Sequence, residues 1–257
     1  MEFSIATWNV NSIRARISYV IGFLKRTKID VLCIQETKVK DSLFPKDEFE
    51  SLGYNLAIYG GKGYSGVATI SRLPIENVKK NILSSGLDEK RIISTKIKDI
   101  DIFNAYFPNG QNPESEKFQE KLKFIEELKN YLYSNYNTKN DKVILLGDFN
   151  VARLPIDVYD EEKMKDKIGY HPKEKEALNH LYEWGFVDIF RMFNRNQQFS
   201  WWDYRASSFR KNIGLRIDYI WISEALRSNC RSCYIDKDER KRERPSDHAP
   251  VVAKFEI

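Results

Sequence analysis

The chain has 257 residues, 42% hydrophobic and 31% charged, with 42 Lys and Arg against 37 Asp and Glu for a formal charge of +5. Such a composition fills a core and keeps a wet exterior, and no apolar run approaches the ~18 residues of a membrane span, so a disordered chain and a transmembrane helical protein are both excluded. If several acids gather in one site, the remaining surface is more basic than the net charge suggests and suits a polyanionic partner.

Residues 2–10 alternate as a strand does, which is expected to leave no room for a signal or transit segment. Ser12 is placed to cap a helix whose apolar positions Ile13, Ile17, Val20, Ile21 and Leu24 follow a helical period. A strand ending at Glu36 comes next. Short strands are expected at 54–59, 67–71, 91–97 and 102–106, punctuated by Gly-Lys-Gly-Tyr-Ser-Gly, Leu-Pro and Pro-Asn-Gly. A long helix is predicted from about Pro113 to Tyr133, with Phe118, Leu122, Ile125, Leu128 and Leu132 on one face, and an apolar strand ending in Asp148 follows it. A third helix, about Pro172 to Trp184, precedes shorter strands around Val187, Ser200, Asp218 and Val251. His171 and His180 read as structural, and the mixed run Lys237 to Arg244 as a solvated loop. Cys230 and Cys233 form a lone C-x-x-C without the partners of a zinc site, so structural thiols and a reducing, cytoplasmic compartment are expected.

Helices and strands alternate in two loosely similar halves, and most strands are too uniformly apolar to face water. An α/β chain with two sheets packed face to face and helices outside satisfies both facts. Candidate site residues run from Asn9 to His248 with no linker between them, which favours a single domain over 1–257.

Four apolar stretches carry a carboxylate where a buried strand meets a loop. They are Val31 to Glu36, Val143 to Asn150, Arg216 to Ile222 and Ser246 to Val252, and the last sets Asp247 beside His248. A carboxylate in such a place is costly to desolvate unless a metal, a cation or a proton partner waits for it. One acidic, metal-holding site is the expectation.

With their flanks, the motifs become specific: Thr7-Trp8-Asn9-Val10-Asn11, Gln35-Glu36-Thr37-Lys38, Gly63-Tyr64-Ser65-Gly66-Val67, Tyr106-Phe107-Pro108-Asn109-Gly110, Gly147-Asp148-Phe149-Asn150, Leu215-Arg216-Ile217-Asp218-Tyr219 and Ser246-Asp247-His248. In that order they resemble the exonuclease III family of abasic-site endonucleases, within the larger fold shared with deoxyribonuclease I and the inositol polyphosphate phosphatases. The resemblance runs from Phe3 to Phe255. It implies a four-layer αββα sandwich of two mixed sheets. It also implies a Mg²⁺-dependent phosphodiesterase, with Mn²⁺ able to substitute, that cuts duplex DNA 5′ to abasic sites and also acts on recessed or blocked 3′ ends.

The resemblance further implies roles. Glu36 would be the primary metal ligand, with Asn9 and Asp247 completing the site. Asp148 would orient or deprotonate the attacking water, and Asn150 would hold water and phosphate. Asp218 and His248 would form a pair facing a phosphate oxygen. Tyr106 would donate its hydroxyl to the phosphate, with Asn109 steadying the same loop. Trp201, Leu215 and Ile217 would line a pocket for the extruded sugar, and Arg205 would enter the base stack. Arg14, Lys38, Lys62, Tyr64 and Arg91 would contact phosphates and fix register. The chain departs from the pattern where some members carry tryptophan in place of Leu215. Asn112 is a short partner to Arg205, and Asn11 stands where some relatives carry an aspartate, which argues against a second tightly held metal. Two other readings stay open: a phosphatase or phosphodiesterase of the same fold acting on a non-DNA substrate, and a DNA-binding protein with weak catalysis.

Overall fold

The computed structural model describes residues 2–61, 63 and 65–257. The elements of the first half are β1 (Glu2–Asn9), α1 (Ile13–Thr27), β2 (Val31–Gln35), α2 (Lys46–Glu50), β3 (Asn55–Gly60), β4 (Gly66–Ser71), β5 (Glu76–Lys79), β6 (Ile92–Ile97) and β7 (Ile100–Tyr106). Then come α3 (Glu116–Asn135), β8 (Val143–Asp148), α4 (Glu161–Met164), α5 (Pro172–Tyr182), β9 (Phe186–Asp188), α6 (Ile189–Phe193), β10 (Asp218–Ser223), β11 (Cys230–Ile235) and β12 (Val251–Glu256). Among the described residues the strands form two six-stranded sheets, ordered β11-β12-β1-β2-β4-β3 and β5-β6-β7-β8-β10-β9. Each sheet is mixed and holds one parallel pair, β1 with β2 and β7 with β8. A parallel pair needs a crossover, and α1 and α3 supply the two.

Period-two alternation assigns the faces. Phe3, Ile5, Val31 and Cys33 of one sheet meet Ile102, Ile144, Leu146, Ile220 and Ile222 of the other. Their neighbours point outward: Ala6, Trp8, Leu32 and Ile34 pack on Val20, Phe23 and Leu24 of α1. Phe103, Val143, Leu145 and Trp221 pack on α3 and α5 through Phe124, Ile125, Leu128, Leu178 and Leu181. Both sheet faces are covered, so the strands read as continuous apolar runs rather than alternating ones. The four-layer αββα sandwich is the fold. Between the sheets the Gln35 amide donates to Thr7 Oγ1 (2.9 Å) and to Asn104 Oδ1 (2.8 Å), while the Asn104 amide donates to the carbonyls of Ile34 (3.3 Å) and Ala68 (3.0 Å). A buried polar bridge of this kind favours one alignment of two apolar surfaces that could otherwise slide, although the Gln35 Oε1 has no partner among the described residues.

Several expected boundaries move for local reasons. Helix α1 does start at Ile13, but Ser12 has φ 90° and makes no side-chain cap. Instead the Ser12 and Ile13 amides donate to the carbonyls of Glu36 (2.8 Å) and Thr37 (3.2 Å), tying the helix start to the end of β2. Helix α3 begins at Glu116 rather than Pro113, because Ser115 Oγ accepts the Phe118 amide at 3.2 Å. The run Lys237 to Arg244 is not a solvated loop throughout: Glu239 and Arg240 are buried. Arg26 of α1 reaches Asp236 (2.6 Å) and Glu239 (2.8 Å), and Arg240 lies over the rings of Tyr204 and Phe209. Charge pairing inside the run hides this burial from a composition-based reading. The three cysteines are buried and free, and burial pushes the Cys33 thiol up to about 12.

At Gly147, φ is 138° and a Cβ would lie 1.8 Å from the Ala105 carbonyl oxygen, so the strand that delivers Asp148 needs glycine there. At the other side of the site the buried Arg216 guanidinium bonds both oxygens of Asp157 (2.7 and 3.0 Å) and both of Asp188 (3.2 and 2.7 Å). Burial works against the Asp157 carboxylate, but Arg216 and Arg191 hold its pKa below the ordinary value. An Arg216→Met chain, which leaves two buried carboxylates without that partner, should lose about 3–5 kcal/mol in urea unfolding at neutral pH. A carboxylate with a depressed folded pKa stabilises above its unfolded value of about 3.9, and that stability is lost as pH falls through the folded value. The acid-induced loss of stability should therefore be shallower in Arg216→Met than in the parent chain.

Candidate active site

The acids at the ends of β8 and β10 face each other, because the antiparallel register sets Asp148 directly opposite Asp218. Both are buried. Like charges in such a cross-strand pair repel, and here little water screens them. The compensation comes from the other sheet, in the loop before β12. His248 Nδ1 lies 2.9 Å from Asp218 Oδ2, and its Nε2 lies 3.7 Å from Asp148 Oδ2. Burial alone would discharge the ring, but the carboxylates of Asp218 and Asp148 push its pKa up to about 10. Burial raises Asp148 to about 7, against the pull of the His248 charge. The Ser200 hydroxyl accepts the amides of Ile217 and Asp218, each at 3.1 Å, and the Ser246 hydroxyl donates to the Asn9 carbonyl at 2.7 Å.

Asn9 and Glu36 come from the first sheet. Glu36 sits just past β2 at φ 52°, a left-handed turn that swings its side chain toward the acid pair. The Asn9 amide nitrogen donates to Glu36 Oε1 (2.8 Å) and to Asp148 Oδ2 (2.9 Å), bridging the sheets. The Asn9 Oδ1 accepts the Asn11 amide at 3.0 Å, so in this arrangement the side chain meets both acids as a donor. Asp247 accepts from Trp201 Nε1 and from Asn11 Nδ2, each at 3.0 Å. Tyr106 stands beside Glu36; its burial, then the charges of Glu36 and Asp148, raise its pKa well above the usual value, so its hydroxyl keeps its proton. Asn150 donates from its backbone amide to Asp148 Oδ1 (2.9 Å) and from its side chain to Asp148 Oδ2 (3.3 Å), and it accepts from Asn109 Nδ2 at 3.2 Å.

Glu36, Tyr106, Asn109, Asp148, Asn150, Asp247 and His248 line a cleft of about 310 Å³ together with Ile168, Gly169, Trp201, Leu215 and Ile217. Trp201 and Leu215 exchange backbone hydrogen bonds, which holds the apolar wall, whereas Trp202 is fully buried in the core. The other expected contacts are distributed unevenly. Lys38 bonds Glu36 Oε2 (2.8 Å) and Asn11 Oδ1 (2.5 Å), so it belongs to the acid cluster. Arg91 stacks over the Tyr106 ring with its guanidinium carbon 5.0 Å from the centroid. Arg205 is exposed but bonded to its neighbour Asp203 at 2.7 Å, and Arg14 is exposed near the start of α1. Lys62 and Tyr64 lie outside the described residues. His171 accepts the Lys173 amide as the cap of α5 and packs against Phe118, a structural role.

Sequence reasoning passes over Lys121 and Glu174, a buried ion pair beneath the Asn109 and Asn150 loops. A signal is present: Lys121 falls three residues after Phe118 and four before Ile125, on a face otherwise apolar. It also gives no role to Ser200, or to Ser246 at the head of the Ser-Asp-His motif.

The donor set fits a divalent cation. Glu36, Asp148 and Asp247 line the cleft with Asp218 behind them, and these hard oxygen donors outnumber the His248 and Lys38 cations among them. Oxygen atoms of Asp148 and Asp218 and a ring nitrogen of His248 also come within 4.8 Å of one another, a grouping that could itself hold a metal ion. A buried acid pair held by an imidazolium, beside carboxylates suited to a cation, is the equipment of a metal-assisted phosphoester hydrolase. The chain belongs to the endonuclease/exonuclease/phosphatase family, whose model matches residues 6–248. It is 35% identical to exodeoxyribonuclease III of Haemophilus influenzae over 97% of this chain and 98% of that one. The structure of an AP endonuclease from Archaeoglobus fulgidus superposes with a TM-score of 0.96 at 39% identity, covering 99% of this chain and 100% of that one. A 3′ phosphatase from Neisseria, bound to a product DNA hairpin, superposes with a TM-score of 0.94 at 32% identity over 99% and 100% of the two chains.

The electrostatic balance around the imidazole has a direct spectroscopic signature. In the metal-free protein the His248 ring should stay doubly protonated through neutral pH and lose its proton only near pH 10, as followed by ¹⁵N chemical shifts of the imidazole and assigned by the signal lost in His248→Asn. A titration near the ordinary value of about 6.5 would show that the two carboxylates do not hold the ring charged.

Proposed function

We propose that this chain is a Mg²⁺-dependent DNA repair nuclease that cuts the backbone of duplex DNA 5′ to an abasic site. The observation that carries the reading is a cleft that sets acids and donors beside the apolar surfaces of Trp201, Leu215 and Ile217. An abasic sugar drawn out of the duplex is small and lacks a base, so an apolar wall can close on it where a whole nucleotide would not fit. The likeness to an exodeoxyribonuclease III and to an AP endonuclease supports the same reading, and the likeness to a 3′ phosphatase supports a further action on blocked 3′ ends.

Glu36 and Asp247 would hold Mg²⁺, or Mn²⁺ in its place, and the bound ion would neutralise charge on the phosphate and on the leaving oxygen. Asp148, raised to about 7 by burial and gripped by the Asn9 and Asn150 amides, is suited to take a proton from the attacking water near neutral pH. Water, giving its proton to Asp148, forms its bond to phosphorus as the bond to the 3′ oxygen breaks, and that oxygen takes a proton from solvent, leaving a 3′-hydroxyl and a 5′-deoxyribose phosphate. The His248 imidazolium and the Tyr106 hydroxyl are donors for the charge that develops on the non-bridging oxygens. Asp218 keeps the imidazole oriented and charged, and Asn109 steadies Asn150. Arg14, Lys38, Lys62, Tyr64 and Arg91 would meet neighbouring phosphates, and Arg205 would reach the base stack after leaving Asp203.

The test is a duplex oligonucleotide with one central abasic-site analogue, beside the undamaged duplex. Incision 5′ to the lesion should require Mg²⁺, stop with EDTA, and fall by about 10²–10⁴-fold in Asp148→Asn. Equal cutting of both duplexes, or none of either by folded protein, would turn the search to phosphatase substrates of the same fold.

A further inference from the structure

Lys121 is a lysine in the wrong place for a lysine. It lies on the core face of α3, its side chain has no exposure, and its ammonium bonds the Asn109 carbonyl (3.0 Å), the Asn150 carbonyl (2.9 Å) and the Glu174 carboxylate. All three ammonium protons are thereby used. Glu174 is equally buried, and its second oxygen accepts the amides of Gly169 (2.8 Å) and His171 (3.0 Å). Taking two charges out of water is costly, and an apolar pair of the same size is often at least as stable. Stability therefore does not explain the pair. What distinguishes it is the identity of the groups it holds.

Those groups belong to three segments that reach the cleft. Asn109 and Asn150 touch each other, and both amide groups of Asn150 grip Asp148. The Gly169 carbonyl accepts the Ala152 amide at 2.7 Å, and Ile168 with Gly169 lines the cleft. Neither Lys121 nor Glu174 lines the cleft. One ammonium and one carboxylate thus tie the segments 107–110, 148–152 and 168–171 to a common point below the floor. Proximity effects are steep, and a displacement of about 1 Å can cost about 10²-fold in rate.

We propose that Lys121, together with Glu174, is a positioning residue for phosphoester hydrolysis: the pair sets the spacing of the Asn109, Asn150 and Gly169 segments and through Asn150 the orientation of Asp148. This rests on the nuclease reading above for its activity readout. The size-matched neutral pair Lys121→Met with Glu174→Gln removes both charges without stranding either. In the abasic-duplex assay, at a temperature well below its unfolding midpoint, this double variant should lose about 10–100-fold in kcat while KM changes by less than about 3-fold. Glu174→Gln alone keeps an acceptor for Gly169 and His171 and should lose about 10-fold in kcat, again at constant KM. Lys121→Arg should not rescue, because a planar fork cannot meet three acceptors set around one ammonium.

A purely structural pair would lower the unfolding midpoint and leave kcat of the folded protein unchanged, and that result in either the double variant or Glu174→Gln alone overturns the proposal. Amide hydrogen exchange at Asn150 gives a readout independent of activity, since the acceptor of that amide is Asp148 and not the pair. Faster exchange in the folded variants supports the proposal, and retained protection overturns it. A parent chain that cuts no DNA would count against the nuclease reading, while the exchange result would still decide the positioning role.

Discussion

Two buried carboxylates stand directly opposite each other on neighbouring antiparallel strands, and the rest of the molecule is arranged around making that tolerable. Asp148 and Asp218 both belong to the second sheet, where Asn150 offers Asp148 two hydrogen bonds but no counter-charge. The relief is His248, carried by the first sheet and brought into reach only because the sheets pack face to face at this end. The sandwich is thus closed by charge at one edge as well as by apolar burial along its length. The contacts behind the imidazole fit this: Trp8 Nε1 donates to the His248 carbonyl at 3.1 Å, and Ser246 anchors the same loop to Asn9.

A second consequence is that the cleft has no single owner. Asn9, Glu36, Asp247 and His248 arrive from one sheet, and Tyr106, Asp148, Asn150 and Asp218 from the other. Distances across the site depend on how the sheets align. Three features hold that alignment at successive depths: the Asn9 amide between Glu36 and Asp148, the Gln35 and Asn104 amides behind it, and the apolar interior below. The charges needed for phosphate chemistry are gathered where the two surfaces meet.

Much of this is legible in the sequence for a definite reason. A carboxylate after Val31-Leu32-Cys33-Ile34-Gln35 or after Val143-Ile144-Leu145-Leu146-Gly147 contradicts its surroundings, and such contradictions mark sites. Helical periodicity finds α1 and α3 because each buries one stripe. What escapes is information held between distant segments. Glu239 and Arg240 look solvated until Arg26 and the rings of Tyr204 and Phe209 are brought to them. The short elements α2, α4 and α6 bury only one or two residues each and leave almost no periodic trace.

The order in which the chain supplies the site shapes how it is made. The imidazole comes after every other residue of the cleft, at position 248, and it is set in place by the pairing of β12 with β1. A chain emerging from the ribosome can therefore fold most of both sheets and still hold an acid pair with no counter-charge and half a cleft. Emergence of β12 and completion of the charged cluster thus become a single event.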